Sequence, residues 1–428
     1  MGTPTAAVGQ VESCPECGTG MAVHRGYVTW CASCDWNVDP GTSEPAAGRV
    51  EALRRRLAGR HGRRLFEEMT GGVDPRPHRD TSSVLAYLVA LAVHGSTVVL
   101  AAAGSTLIVA GWETVSQPVL GAVLLLLAVT VRPRTARLPD DVPVLSRDEA
   151  PRLFALVDEV AAAVGTTGVH RVVVVPDANA SVGTYGLRGR RVLRIGLGLW
   201  EILTPAQRVA LLGHELGHYA HGDTRHSRVV GTALRTLAVL VHVLTPDPPD
   251  GLLERVAVST LLAPRAAALG LLSVLDHLTL RASQRAEYLA DAAAGRVAST
   301  AAVVELMDRL LVSDTVGDKL RRESVLAQTR IGGIRPRDAE DGLWERLAAQ
   351  TGAVPAREYE RLRRAGERRG HSADSTHPPT HLRRRHLAEG APCPARVTCD
   401  ESASLAIAAE LAPARAAIAR RVIRDYAG

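Results

Sequence analysis

Two long apolar runs in the first third of the chain constrain its fold most. Residues 83–110, SVLAYLVALAVHGSTVVLAAAGSTLIVA, contain no formal charge, and neither do residues 118–131, PVLGAVLLLLAVTV. The first run is long enough to cross a bilayer, because about 20 apolar residues suffice. A buried core helix is the alternative, and a run of this length disfavours it. The two runs predict a transmembrane hairpin over residues 81–132.

The charges around this hairpin predict its orientation. The segment GWETVSQ, residues 111–117, contains no Lys or Arg, whereas arginines flank the hairpin at Arg76, Arg79, Arg132, Arg134 and Arg137. Because positively charged flanks remain in the cytoplasm, both ends are predicted to be cytoplasmic and residues 111–117 external. The predicted location is the cell membrane, with several passes and a cytoplasmic N-terminus.

Two further apolar runs, 229–245 and 256–275, surround the acidic loop TPDPPDG. They contain Arg235 and Arg265, which make membrane insertion costly. The arginine pattern around them nevertheless repeats that of the first hairpin. A second membrane hairpin at 229–275 is one interpretation. An amphipathic helix pair packed on the neighbouring domain is the other.

Four of the six cysteines form two CxxC pairs near the N-terminus, CPEC and CASC, at Cys14, Cys17, Cys31 and Cys34. This spacing is typical of a tetrahedral thiolate zinc site, so residues 1–45 are predicted to form a zinc ribbon. Two disulfides or free thiols are the alternatives. Residues 46–80 are predicted to be a basic helical linker. The net charge of +6 comes from local arginine clusters and fits a membrane protein better than a nucleic-acid binder.

The remaining sequence predicts an α+β fold that is mostly α-helical. Residues 140–400 contain an amphipathic helix, several short β-rich segments and further helices, one of them predicted over residues 283–310. Thr204 and Pro205 are typical of a helix start, and they precede the apolar segment that carries HELGH. Residues 401–428 predict a C-terminal helix.

HELGH matches the zinc-binding pattern HExxH. His214 and His218 share one face of a helix, so both imidazoles can reach one metal ion. Glu215 can take a proton from metal-bound water and pass it to the leaving amine. A catalytic zinc needs a third protein ligand. Glu287 in EYLAD can supply it, while Asp291, one turn later, holds a ligand imidazole from behind; a helix with two surface acids is the alternative.

Four motifs occur in order: VPDANASVGT, HELGHYAHGD, EYLAD after two hydrophobic runs, and STHPPTHLRRRHL. In this order the chain resembles the HtpX-like and CAAX prenyl endopeptidase family of membrane zinc metallopeptidases, over roughly residues 83–390. The zinc ribbon is an addition to the usual family pattern.

The resemblance implies a zincin-type fold with His214, His218 and Glu287 as zinc ligands and Glu215 as general base. It also implies that Asn179 and Ala180 lie beside the substrate backbone, and that His377 lies near the zinc and supports the oxyanion. The other histidines of this region match no ligand position and are interpreted as polar surface or interhelical residues: His221, His226 and His242.

The predicted function is a membrane zinc endopeptidase with a cytoplasmic active site and one catalytic and one structural zinc. Its expected substrates are proteins or peptides, with membrane-protein quality control favoured over prenyl-protein processing. Its other expected partner is the lipid bilayer, and nucleic acid is not expected. A non-catalytic membrane scaffold, whose ribbon binds a protein or nucleic-acid partner, is the alternative function.

Overall fold

The computed structural model describes residues 11–40, 60, 62–71, 81–133, 135–221, 224–245, 251–329, 336–369 and 378–425. The strands are β1 (Val11–Ser13), β2 (Gly20–Ala22), β3 (Val144–Leu145), β4 (Arg171–Val175), β5 (Ala180–Tyr185) and β6 (Arg190–Gly196). A short helix, α1, covers residues 62–70. The following helices are α2 (Thr81–Ala110), α3 (Ser116–Thr130), α4 (Pro151–Val164), α5 (Leu197–Trp200), α6 (Pro205–His221), α7 (Thr224–Val243), α8 (Leu252–Ala298), α9 (Thr300–Thr329), α10 (Pro336–Glu340), α11 (Leu343–Gly352), α12 (Ala356–Arg369), α13 (Thr380–Glu389) and α14 (Glu401–Asp425).

A four-stranded sheet forms one wall of the main core, in the order β3-β4-β6-β5. Strands β4 and β6 are parallel, whereas β3 and β5 pair with them in the antiparallel sense. Helices α4, α6, α9 and α14 share the main core with this sheet, and its largest buried side chains include Trp200, Phe154 and Leu212. The predicted fold class, mostly α-helical with a small sheet, is confirmed.

Within the described residues, three helices are long and apolar enough to cross a membrane, judged by length and composition: Thr81–Ala110, Val258–Ala298 and Glu401–Arg424. The apolar helices Ser116–Thr130 and Val229–Val243 are shorter. The first long helix exposes Val98 and Val99, as expected of a surface that faces lipid. Helix α14, by contrast, packs Ile407, Leu411 and Val422 into the main core.

Helices α2, α7 and α8 form a second, smaller apolar cluster. Ala90 of α2, Ala233 of α7 and Leu275 of α8 are completely buried in it. His94 of α2 adds a hydrogen bond of 3.0 Å to the carbonyl oxygen of Val229. The second pair of apolar runs therefore packs on the first long apolar helix, and its crossing of the membrane stays a prediction.

The helix predicted over residues 283–310 does not exist as one element. Its first part is the end of α8, which continues without a break from Leu252, and its second part is the start of α9. Ser299 separates the two helices with a φ of 93°, a left-handed conformation that L-residues rarely adopt. EYLAD thus lies on the last turns of a helix that begins among the apolar residues.

The cysteine-rich N-terminal segment is packed on α12. Trp30 and Val38 are almost completely buried, and the guanidinium group of Arg364 lies 5.1 Å from the centre of the Trp30 ring. Arg364 also donates to Asp35, at 2.7 Å, and Arg369 donates to Asp39, at 2.6 Å. Arginines of a late helix therefore hold the first described residues of the chain.

Candidate active site

A reciprocal cap fixes the start of α6. The Gln207 backbone nitrogen lies 3.3 Å from the Thr204 hydroxyl oxygen, and the Thr204 nitrogen lies 3.1 Å from the Gln207 side-chain oxygen. This pairing satisfies two amide groups that the helix itself leaves free, and Pro205 follows the cap without losing a hydrogen bond. The predicted helix start at Thr204 and Pro205 is confirmed. HELGH lies in the buried second half of this helix.

Two glycines in this helix let α8 approach closely. A Cβ atom on Gly213 would lie 3.1 Å from the Cα of Ala294, and one on Gly217 would lie 3.0 Å from the Cα of Ala290. Both distances are shorter than ordinary carbon–carbon contacts. The small residues on both helices therefore bring EYLAD against HELGH, even though the intervening chain includes α7 and most of α8.

This packing brings together His214, His218 and Glu287. The Nε2 atoms of the two imidazoles are 3.2 Å apart. The Glu287 carboxylate oxygens lie 3.5 Å from Nε2 of His214 and 3.6 Å from Nε2 of His218. Zinc bonds of 2.0–2.1 Å in a tetrahedron place neighbouring ligand atoms about 3.3–3.4 Å apart. The three side chains therefore have the spacing that a tetrahedral zinc ion requires.

Asp291 supports this arrangement from behind. Its Oδ1 atom lies 2.9 Å from Nδ1 of His214, and its side chain is completely buried. The Nδ1–H group of His214 donates to this carboxylate, so Nε2 is the ring nitrogen that faces Glu287 and His218 and could bind a metal. The structure thus places Asp291 where the sequence predicted it, behind a candidate ligand imidazole.

The sequence analysis did not single out Arg383, which completes the cluster. This buried residue on α13 donates to both oxygens of Asp291 at 2.7 Å, and its Nη1 lies 3.2 Å from Glu287. Two buried acids that are one turn apart require a compensating cation, because an unpaired buried charge is costly. That requirement was a signal in the sequence, but Arg383 is followed directly by two other arginines, Arg384 and Arg385, which match it equally well.

In the metal-free protein, the pKa values of the two imidazoles are shifted in opposite directions. Burial opposes the charged form of His214, but hydrogen bonds to Asp291 and Glu287 outweigh it and raise the pKa of His214 to about 9. Burial and the neighbouring His214 lower the pKa of His218 to about 4. At neutral pH His214 therefore carries the extra proton of an imidazolium and His218 is neutral. A bound metal would displace that extra proton.

The other predicted site residues are Glu215, Asn179, Ala180 and His377. Glu215 is buried on α6 beside the candidate ligands. Asn179 is exposed immediately before β5, and Ala180 is its first residue, at the edge of the sheet. Tyr219 joins α6 to this region, since its hydroxyl group bonds to the carbonyl oxygen of Gly183 in β5. His377 lies outside the described residues.

Three further histidines of this region were interpreted as polar surface or interhelical residues. The side chains of His221 and His226 lie outside the described residues. His242 is exposed near the end of α7. The predictions for these histidines stay predictions.

The N-terminal cysteines form a second cluster suited to a metal. All four are free, and their sulfur atoms lie together, 3.6 Å apart for Cys14 and Cys34 and 3.5 Å for Cys17 and Cys31. A disulfide would need about 2.05 Å, whereas Zn–S bonds of 2.3 Å place tetrahedral sulfurs about 3.8 Å apart. The disulfide alternative is therefore wrong for this structure, and the donors fit a tetrahedral thiolate site.

The chain matches Peptidase family M48 over residues 147–391, a segment that contains HELGH, EYLAD and Arg383. It belongs to this family. The resemblance predicted from the four motifs is thereby confirmed.

Curated relatives of this M48 chain carry related names. The "Protease HtpX homolog" of Syntrophobacter fumaroxidans is 29% identical over 161 residues, which are 34% of this chain and 54% of the relative. The "Protease HtpX" of Pseudomonas putida is 28% identical over 140 residues, 32% of this chain and 47% of the relative. The "Protease HtpX homolog" of Pyrobaculum calidifontis is 26% identical over 239 residues, which are 55% of this chain and 67% of the relative.

The M48 chain thus spans about half the length of the first two of these relatives. No solved structure matches the chain.

Proposed function

We propose that this M48 chain is a membrane-bound zinc metalloendopeptidase in which His214, His218 and Glu287 hold the catalytic zinc. The observation that carries the proposal is the closeness of their donor groups: the two Nε2 atoms are 3.2 Å apart, and each has one of the two Glu287 oxygens at 3.5–3.6 Å, which suits a tetrahedral ion with one position open. A zinc ion there would polarise the scissile carbonyl group and make a water molecule more acidic. The proposal also includes a structural zinc on the four N-terminal cysteines.

Glu215 is the proposed proton carrier. It follows His214 directly on α6, so its side chain is rotated by about 100° around the helix axis from that of His214, and it is not part of the proposed ligand set. Its carboxylate would accept a proton from the attacking water and deliver it to the nitrogen of the leaving amine. Asp291 and Arg383 would hold the ligands in place without touching the substrate.

The sheet edge is the proposed site for the substrate backbone. Strand β5 is the last strand of the described sheet, and its first residue is Ala180. An extended peptide can pair with such an edge through backbone hydrogen bonds, which recognise any sequence. Asn179 and Ala180 would then contact the peptide, and His377 would support the oxyanion. We include membrane proteins among the substrates, because the long apolar helices would keep the active site close to the bilayer.

The discriminating experiment compares Glu215→Gln with Glu287→Ala in purified full-length protein. Glu215→Gln is expected to keep its zinc and to lose casein cleavage by more than a hundredfold, since general acid–base catalysis contributes that much. Glu287→Ala is expected to lose both activity and zinc. His221→Ala is expected to keep both, and Glu389→Gln, an exposed acid, serves as the control.

Full cleavage by Glu215→Gln would remove the proposed mechanism. Loss of zinc and cleavage in His221→Ala, with both retained in Glu287→Ala, would overturn the ligand assignment. A wild-type protein that binds zinc but cleaves no protein would favour the scaffold alternative.

A further inference from the structure

A cavity of about 390 Å³ lies between α7 and the segment that follows α3, well separated in sequence from the candidate active site. Arg132 and Arg137 line one side of it, and Arg235 of α7 lines the other. All three are exposed, and none forms an ion pair within the described parts of the chain. Three cations that converge on one cavity without an acid attract an anion.

A buried hydroxyl group in the same cavity supports this interpretation. Thr236 lines the cavity and is 5% exposed, and its Oγ1 atom has no hydrogen-bond partner among the described residues. A buried hydroxyl group without a partner is destabilising, so a ligand that accepts a hydrogen bond from it would be favoured. The ligand should therefore present several acceptor oxygens as well as negative charge.

The walls of the cavity are held by the surrounding fold. The backbone nitrogen of Gly186, between β5 and β6, donates to the carbonyl oxygen of Ala136 at 2.9 Å. The hydroxyl group of Thr97 in α2 donates to the carbonyl oxygen of Val131 at 3.2 Å. Arg235 uses its Nε atom for a bond of 3.3 Å to Gly231, which leaves both terminal nitrogens available. The arginines are thus carried by backbone that is fixed at both ends.

The position of the cavity identifies the ligand class. Helix α3 exposes Val123, Leu126 and Val129 up to its last turn, and Arg132 follows directly after it. The charge thus begins where the apolar surface ends, as it does at the headgroup level of a bilayer. Apolar side chains of Ala238 and Val239 also line the cavity and could contact the first part of an acyl chain.

We propose that this cavity binds the phosphate headgroup of an anionic phospholipid. Arginine suits this role because its planar guanidinium group can donate two parallel hydrogen bonds to phosphate oxygens. The Thr236 hydroxyl group donates a further bond. An inorganic phosphate ion shares this chemistry, but it would make no use of the adjacent apolar surface.

The test uses full-length protein in a neutral detergent and a short-chain phosphatidylglycerol as the probe. Its binding is followed by native mass spectrometry and by the melting temperature. Phosphatidylcholine of the same chain length and inorganic phosphate are run in parallel. The test variant is Arg132→Gln/Arg137→Gln/Arg235→Gln. The control, Arg188→Gln/Arg321→Gln/Arg322→Gln, removes the same charge from three other exposed arginines without ion pairs in the described residues.

Phosphatidylglycerol is expected to bind the wild type and the control variant, with at least tenfold weaker binding to the test variant. Thr236→Val, which keeps the shape of the side chain, should weaken binding about fivefold, the loss of one hydrogen bond. If the triple variant does not fold, the lipid affinities of the single variants Thr236→Val and Arg137→Gln provide the test. Equal binding of inorganic phosphate would refute the lipid assignment, and so would unchanged lipid affinity in Thr236→Val and the arginine variants. Neither result bears on peptidase activity.

Discussion

Replacing Arg383 with methionine should destabilise the protein strongly. The substitution keeps a long side chain but removes the cation that donates twice to Asp291 at 2.7 Å and lies 3.2 Å from Glu287. The Arg383 side chain is 6% exposed and that of Asp291 is 0% exposed, so water cannot replace the lost bonds. Breaking a buried ion pair from one side costs about 3–5 kcal/mol.

The loss of stability in Arg383→Met should depend on whether zinc is bound. Without zinc, Asp291 and Glu287 would remain as two buried acids, with the imidazoles of His214 and His218 beside them. A zinc ion on Glu287 would supply positive charge in the same place, so the loss of Arg383 should cost less in the loaded protein. At about 2 °C per kcal/mol for a domain of this size, the melting temperature should fall by roughly 6–10 °C in EDTA and by less with zinc.

The assay is thermal unfolding of full-length protein in detergent, with EDTA or with excess zinc. Arg385→Met is the matched control, since Arg385 lies on the same helix but is exposed, with an ion pair to Glu389 and a contact of 5.4 Å with the centre of the Phe66 ring. A surface pair of this kind contributes about 0–1 kcal/mol, so this variant should melt within about 2 °C of the wild type. Equal melting temperatures for the two variants in EDTA would refute the assigned role of the buried arginine.

Three further predictions test the packing, the protonation and the topology. Gly217→Ala should cost about 1–3 kcal/mol and lower zinc affinity, because its Cβ would lie 3.0 Å from the Cα of Ala290. Gly317→Ala, with nothing within 4 Å, should be neutral or slightly stabilising, and equal effects in thermal unfolding would contradict the close-packing explanation. Because the pKa of His214 is raised to about 9, zinc binding at pH 7 should release about one proton and should strengthen as the pH rises towards 9. Calorimetry in buffers of different ionisation enthalpy measures the number of protons released. Zinc binding without proton release would contradict the prediction. A cysteine at Ser116, in a chain without its native cysteines, should react with an impermeant label on intact cells, and labelling only after lysis would reverse the predicted orientation.

The candidate ligands could be predicted from the sequence because helical spacing puts each pair on one face of its helix, and the family resemblance indicated that the two helices meet. His214 and His218 share a face of α6, and Glu287 and Asp291 share a face of α8. The cap at Thr204 was equally local. These features depend on residues within one or two turns, where the sequence contains the whole geometry.

Features that depend on distant packing could not be predicted in this way. Arg383, Arg384 and Arg385 are consecutive, yet the first is buried, the second is half-buried on Asp308 and the third is exposed. Their helix has too few apolar residues to indicate which face is internal. The break at Ser299 could not be predicted either, because residues 296–303 contain neither glycine nor proline. The positive φ of Ser299 is imposed by the surrounding fold.

The contact between the ribbon and α12 restricts how often the intervening chain can cross a membrane. The described part of the predicted ribbon ends at residue 40 and α12 begins at Ala356, and Arg364 joins the two through Asp35. Both ends of this interval must lie on the same side of any bilayer, so the number of crossings between them is even. Helix α2 cannot then cross alone. The short helix α3 follows α2 directly and could supply the return crossing. If α2 and α3 cross together, α7 and α8 must either cross as a pair or both remain on one side.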